Sequence, residues 1–112
     1  MTLEKSLGSD LFQIDVSYYG TGAVITLAGE LDVASSPELV NALQGAALDV
    51  ADSVELDMER VTFIDSTGLG LLVSAHKRMD ANGRILIIRS PQPRTMKLIQ
   101  ISGLAGYLNI RP

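Results

Sequence analysis

Phe12, Ile14 and Val16 alternate with Gln13, Asp15 and Ser17, the period-two pattern of a strand with one buried face. Ala23 to Ala28 (AVITLA) is short, rich in β-branched residues and almost wholly apolar, which predicts a more deeply buried strand. Gly20-Thr21-Gly22 between them is a turn signal, so the two segments are expected to form a hairpin. Gly29 to Ala34 reads as a loop. A helix start follows at Ser35-Ser36-Pro37-Glu38. Ser36 can cap it with Pro37 at the first helical position, or Ser35 can cap it with Glu38 closing a capping box. Leu39, Val40, Leu43, Ala46, Ala47 and Val50 continue at helical spacing. Alternation returns at Val54, Leu56 and Met58 against Glu55 and Asp57, which predicts a third strand. A second helix is expected over 66–81, stopped by Asn82-Gly83. Ile85 to Ile88 is an unbroken apolar run that suits a buried strand. After Pro91 and Pro93, a short helix over Arg94 to Ser102 ends at Gly103, and Tyr107 to Ile110 is a last strand.

The order β-β-α-β-α-β-α-β predicts an α/β fold: a single domain whose mixed β-sheet is backed by helices. A chain of 112 residues with no repeat or linker suits one domain, here residues 11–112 preceded by a flexible leader over 1–10. The apolar fraction of 46% is enough for a core. Because the chain has no Trp, two Phe and three Tyr, that core must be aliphatic. Net charge is −4 and the nine Lys and Arg are scattered, so no nucleic-acid partner is expected. With no Cys and one His, thiolate and imidazole metal sites are not expected either, nor any cofactor. No apolar run approaches the ~18 residues of a membrane span. The first ten residues lack the apolar core of a signal peptide. The expected setting is the cytoplasm, without a membrane partner, and the small size favours a monomer.

The candidate chemistry lies in Phe63-Ile64-Asp65-Ser66-Thr67-Gly68-Leu69-Gly70, where an extended apolar stretch meets the second helix. Asp65, Ser66 and Thr67 can each serve as N-cap, which leaves the first helical residue open. Free N–H groups of the first turn and the helix dipole favour negative charge there. Gly68 and Gly70 leave backbone uncovered at a cost of roughly 1 kcal/mol each relative to Ala, which suggests close approach by another molecule. On a helical wheel Leu71, Leu72, Ala75 and Met79 share a core-facing arc. Ser66, Leu69, Gly70, Val73 and Lys77 share a stripe, and Asp80, between the directions of Leu69 and Val73, suggests that this side reaches solvent. A phosphate on Ser66 would bring about −1.5 to −2 charges. The helix terminus could accept it, while a partner packed over Leu69 and Val73 could not. A cap with no further role is the plainer account of the same residues.

Enzyme readings find little. Asp65-Ser66-Thr67-Gly68 has one residue too many for an aspartic-protease motif. His76 falls on the core-facing edge of its helix, roughly 15 Å along the axis from Ser66. No phosphate-loop or dinucleotide-binding glycine pattern is present. The carboxylates Asp52, Glu55, Asp57 and Glu59 read as a solvated strand face rather than a metal site. Met79 and Met96 read as core or near-core residues.

Gly29-Glu30-Leu31-Asp32 before the first helix and Asp65-Ser66-Thr67-Gly68-Leu69-Gly70 before the second resemble the sulfate transporter and anti-sigma antagonist (STAS) family, in its stand-alone anti-sigma factor antagonist form. The element order matches over residues 10–111. The resemblance implies that Ser66 is the phosphoacceptor of a partner that is both anti-sigma factor and serine kinase. The unmodified antagonist would bind this partner and free the sigma factor. Phosphorylation would end the binding, and a metal-dependent serine phosphatase would restore it. Asp32 matches an aspartate with a part in partner contact or phosphorylation geometry. Asp32, Asp65, Ser66, Thr67, Gly68, Leu69, Gly70, Val73 and Lys77 are thus the candidate partner-binding residues. The alternative within the same fold is a scaffold or accessory subunit of a transport complex, with Ser66 as a cap only.

Overall fold

In a computed structural model, which describes residues 12–44 and 51–112, the predicted hairpin opens the fold. Strand β1 (Phe12–Tyr19) pairs antiparallel with β2 (Gly22–Leu31) through a turn in which Gly20 takes φ +60°. From β2 onward every pairing is parallel, to β3 (Ser53–Ile64), β4 (Ile85–Arg89) and β5 (Asn109–Arg111), giving the sheet order β1-β2-β3-β4-β5. Parallel neighbours need crossovers. Helices α1 (Ser36–Ala42), α2 (Ser66–Ala81) and α3 (Pro93–Ile101) lie in those connections. Each crossover steps the same way across the sheet, so right-handed connections put all the helices on one face.

Burial follows from that. Ala23, Val54 and Leu86 lie side by side on the covered face, as do Ile25, Leu56 and Ile88, and all are buried. The core is aliphatic, as expected. On the other face Val24, Glu55 and Ile87 are half-buried, and Ile85 is 51% exposed. The expectation of a fully buried strand at Ile85 to Ile88 is therefore corrected. A sheet with helices on one side buries only alternate residues of β4. The expected solvated carboxylates of β3 lie on this open face, but two of them are ion-paired. Arg89 meets Glu55 at 2.7 Å and Asp57 at 2.8 Å, and Arg111 meets Glu55 at 2.6 Å. No cluster suited to a metal ion occurs among the described residues.

The segment Gly29 to Leu31, expected as loop, continues β2, and β3 runs on past Met58 to Ile64. Irregularities opposite Thr26/Ala28 and Gly29/Glu30 insert extra residues into β3. The inward positions then become Met58, Val61 and Ile64, every third residue, which hides the strand from a period-two reading. Gly29 takes φ +106° at this bend. Asn82 and Gly83 stop α2 and Gly103 follows α3 as expected, the glycines at φ +71° and +76°. His76 is buried and meets Tyr107 edge-on, with ring centroids 4.6 Å apart. The leader over 1–10 and the helical positions Ala46, Ala47 and Val50 lie outside the described residues.

Candidate phosphoacceptor and docking site

Parallel neighbours β2 and β3 end together, with Leu31 beside Ile64, and each leads directly into a turn and a helix. The backbone N–H of Asp65 donates to the Leu31 carbonyl at 3.3 Å, which ties the two turns. Asp65 is still extended (φ −108°, ψ −174°), and its Oδ1 accepts the Gly68 N–H at 2.9 Å. Asp65 is therefore the N-cap, and the ambiguity among Asp65, Ser66 and Thr67 is settled. Ser66 is the first helical residue. It is exposed, and its hydroxyl has no hydrogen-bond partner among the described residues. Thr67 beside it is exposed too.

The two glycines do different work. A Cβ on Gly68 would lie 2.7 Å from the Leu31 carbonyl oxygen and 2.9 Å from side-chain carbons of Leu31 and Ile64. What approaches Gly68 closely is the protein's own β2, so the expectation of uncovered backbone is wrong at this position. A Cβ on Gly70 would meet nothing within 4 Å, and there the expectation holds. Leu69 also departs from the reading of the wheel. It is buried, because the first turn of α2 is pressed onto the end of β2. Val73 is half-buried and packs against the core. The exposed face of α2 runs through Ser66, Thr67, Gly70, Ser74 and Lys77. Lys77 stands roughly 16 Å along the axis from Ser66. Ser74 joins Ser66 and Gly70 on this face at i, i+4, i+8 spacing, away from the core-facing arc as the wheel predicts.

The companion turn is built like the first. Asp32 Oδ1 accepts the Ala34 N–H at 3.0 Å and the Ser35 N–H at 3.1 Å. Each aspartate thus ends a strand and holds the N–H three residues on. Ser35, at the cap position of α1, makes no side-chain cap bond. Its hydroxyl donates to the Glu30 carbonyl at 2.7 Å and accepts the Asp32 N–H at 3.0 Å. Ser36 Oγ donates to the Asp32 carbonyl at 2.7 Å, and Pro37 lies in the first turn of the helix. Neither anticipated side-chain cap of α1 forms, because strand-end carbonyls claim both hydroxyls. Ser35 and Ser36 are buried, while Val33 and Ala34 are exposed at the apex. Val33 was not among the residues singled out from the sequence.

A strand-ordered sheet with helices on one face, and two aspartate turns at the ends of adjacent parallel strands, define a small α/β domain. The STAS domain model matches residues 13–112, and the chain belongs to the STAS domain family. An anti-sigma-B factor antagonist of Staphylococcus aureus (strain NCTC 8325 / PS 47) is 34% identical over 86 residues, 77% of this chain and 80% of that protein. The anti-sigma factor antagonist SpoIIAA in its unphosphorylated form superposes with a TM-score of 0.72 at 26% identity, covering 88% of each chain. The Bacillus cell fate determinant SpoIIAA in its phosphorylated form superposes with a TM-score of 0.65 at 25% identity, covering 88% of this chain and 91% of that one. The family and the fold expected from the two motifs are borne out.

Proposed function

We propose that this STAS domain is an anti-sigma factor antagonist whose unphosphorylated form binds an anti-sigma factor with serine kinase activity and so releases the sigma factor. The observation that carries the reading is the idle hydroxyl of Ser66. Asp65 already caps α2, so the fold has no need of Ser66 as a cap, and the hydroxyl stands exposed at the helix N-terminus. The names of the relatives and the two phosphorylation states of SpoIIAA support it. The role is one of binding, with no catalytic group and no cofactor of its own. The kinase partner transfers the γ-phosphoryl group of ATP to Ser66 Oγ, and ADP and the hydroxyl proton leave. A metal-dependent serine phosphatase hydrolyses the ester. The module works in the cytoplasm as a monomer.

Phosphate at Ser66 adds about −1.5 to −2 charges and three acceptor oxygens. The docking face is formed by Ser66, Thr67 and Gly70, with Val73 partly and Lys77 distantly included. Asp65, Gly68 and Leu69 shape it from within. A partner seated there would have to bury the new charge, a cost that unmodified Ser66 does not impose. Ser66→Asp and Ser66→Glu are expected to weaken binding of a purified anti-sigma factor of the serine-kinase type at least tenfold, with little change in melting temperature. Mass spectrometry after incubation with that kinase and ATP should place one phosphate on Ser66. Tight binding by both variants and by the phosphorylated protein would sink the proposal.

A further inference from the structure

We infer that Val33 is an apolar anchor of the docking face, and that Asp32 acts through it as a positioning residue rather than as a contact for the partner. The inference rests on the reading that an anti-sigma factor docks at the Ser66 end of the domain. Exposed aliphatic side chains are ordinary when scattered singly. Val33 differs in how it is held and where. It is 69% exposed, yet the turn that carries it is held by five hydrogen bonds involving side chains. Asp32 Oδ1 takes the N–H groups of Ala34 and Ser35. Buried Ser35 bridges the Glu30 carbonyl and the Asp32 N–H, and buried Ser36 holds the Asp32 carbonyl. A β-branched side chain on a fixed backbone has few conformations to lose on binding. Preorganisation of that kind favours affinity.

The placement points the same way. Asp65 N–H and the first turn of α2 at Gly68 both rest on the Leu31 carbonyl, two residues before Val33. Ser66 lies two residues after Ile64, the strand partner of Leu31. Adjacent strands are about 4.8 Å apart, so the two turns start as immediate neighbours. In each, the residue directly after the aspartate is exposed, Val33 in one turn and Ser66 in the other, and Val33 has the larger apolar side chain of the exposed pair Val33 and Ala34. A partner that covers Ser66 meets Val33, and the chemistry that fits Val33 is an aliphatic or aromatic pocket on the anti-sigma factor. Asp32, meanwhile, spends Oδ1 inside the turn. Its charge is not required for that task, since an amide oxygen accepts the same N–H groups.

The test measures dissociation constants of the unphosphorylated full chain for the purified anti-sigma factor by titration calorimetry, with thermal melts alongside. Val33→Ala is expected to weaken binding about tenfold and Val33→Asp a hundredfold or more, both with unchanged melting temperature. Asp32→Asn is expected to bind within about twofold of wild type, and Asp32→Ala to lose about as much as Val33→Ala. Asp32→Ala combined with Val33→Ala should lose little beyond either alone, as residues acting through one contact do. If wild type binds, Ser66→Asp does not, and both Val33 variants bind like wild type, the anchor is refuted while the proposed function stands. If Asp32→Asn binds as weakly as Asp32→Ala, the charge matters and the positioning role is refuted. If wild type does not bind the anti-sigma factor, or Ser66→Asp binds as tightly as wild type, the functional reading fails and the anchor with it.

Discussion

Asp65→Ala and Ser66→Ala should separate the structural job at the start of α2 from the regulatory one. Asp65 Oδ1 holds the Gly68 N–H at 2.9 Å, and its charge stands at the positive end of a sixteen-residue helix. Loss of an N-cap costs about 1 kcal/mol, and loss of the charge–dipole term adds about 0.5 kcal/mol. For 112 residues, an unfolding entropy of about 2.1 cal/mol/K per residue gives roughly 0.24 kcal/mol/K. The melting temperature of Asp65→Ala should therefore fall by about 6 °C. Asp65→Asn keeps the acceptor and should recover most of that loss. Ser66→Ala removes an exposed hydroxyl that bonds to nothing described, and alanine is the better helix former by a few tenths of a kcal/mol. Its melting temperature should stay level or rise by about 1 °C. Differential scanning calorimetry at neutral pH resolves these shifts. A Ser66→Ala protein that melts as low as Asp65→Ala would show that Ser66 is the cap. Its hydroxyl would then not be idle, and the main support for a phosphorylation switch would be gone.

The remaining predictions use the same two kinds of measurement. Gly68→Ala places a methyl 2.7 Å from the Leu31 carbonyl oxygen and should destabilise the domain by about 1–3 kcal/mol in urea titrations. Gly70→Ala meets only open space and should stabilise it by about 0.5–1 kcal/mol, so equal effects at the two positions would refute the placement of α2 on β2. On the open sheet face, the Arg111 guanidinium, aided by Arg89, holds Glu55 below the ordinary carboxylate range. Its stabilising share is present above the unfolded-state pKa of about 4.3 and is lost as pH falls through the depressed folded value. The stability gap between wild type and Glu55→Gln should therefore be widest near neutrality and narrow in acid below about pH 4. A gap that does not change with pH would contradict it.

What was legible in the chain, and what was not, follows from how each element meets its neighbours. Phe12 to Val16 and Val54 to Met58 announce themselves because one face of the sheet is covered and the other open, so alternation survives. Beyond Met58 the extra residues in β3 shift the inward positions to every third residue. The end of the strand that delivers Asp65 is then invisible to a period-two search. Asp65, Ser66 and Thr67 are equivalent as capping residues, and only the extended backbone that Asp65 inherits from β3 chooses between them. Leu69 was assigned to the exposed stripe because a wheel treats a helix as uniformly docked. In fact Gly68 lets the N-terminal turn of α2 sink against Leu31, and Leu69 goes with it.

Val33 has no periodic signature at all, but its frame does. An aspartate with a serine three residues on, at the end of a strand, is the pattern of a side chain that closes a turn on its own backbone. Asp65 and Gly68 use the same carboxylate-to-N–H closure. The two motifs behind the family resemblance are, physically, one device placed at the ends of adjacent parallel strands. Closing the turn on the aspartate leaves the next residue pointing outward whatever its chemistry. In one copy that residue is a hydroxyl that can take a charge, and in the other an aliphatic that cannot. Attachment and release can then be set by separate residues on turns that leave adjacent paired strands. In the proposed switch, Ser66 would decide whether a partner stays, and Val33 would contribute to how tightly it is held.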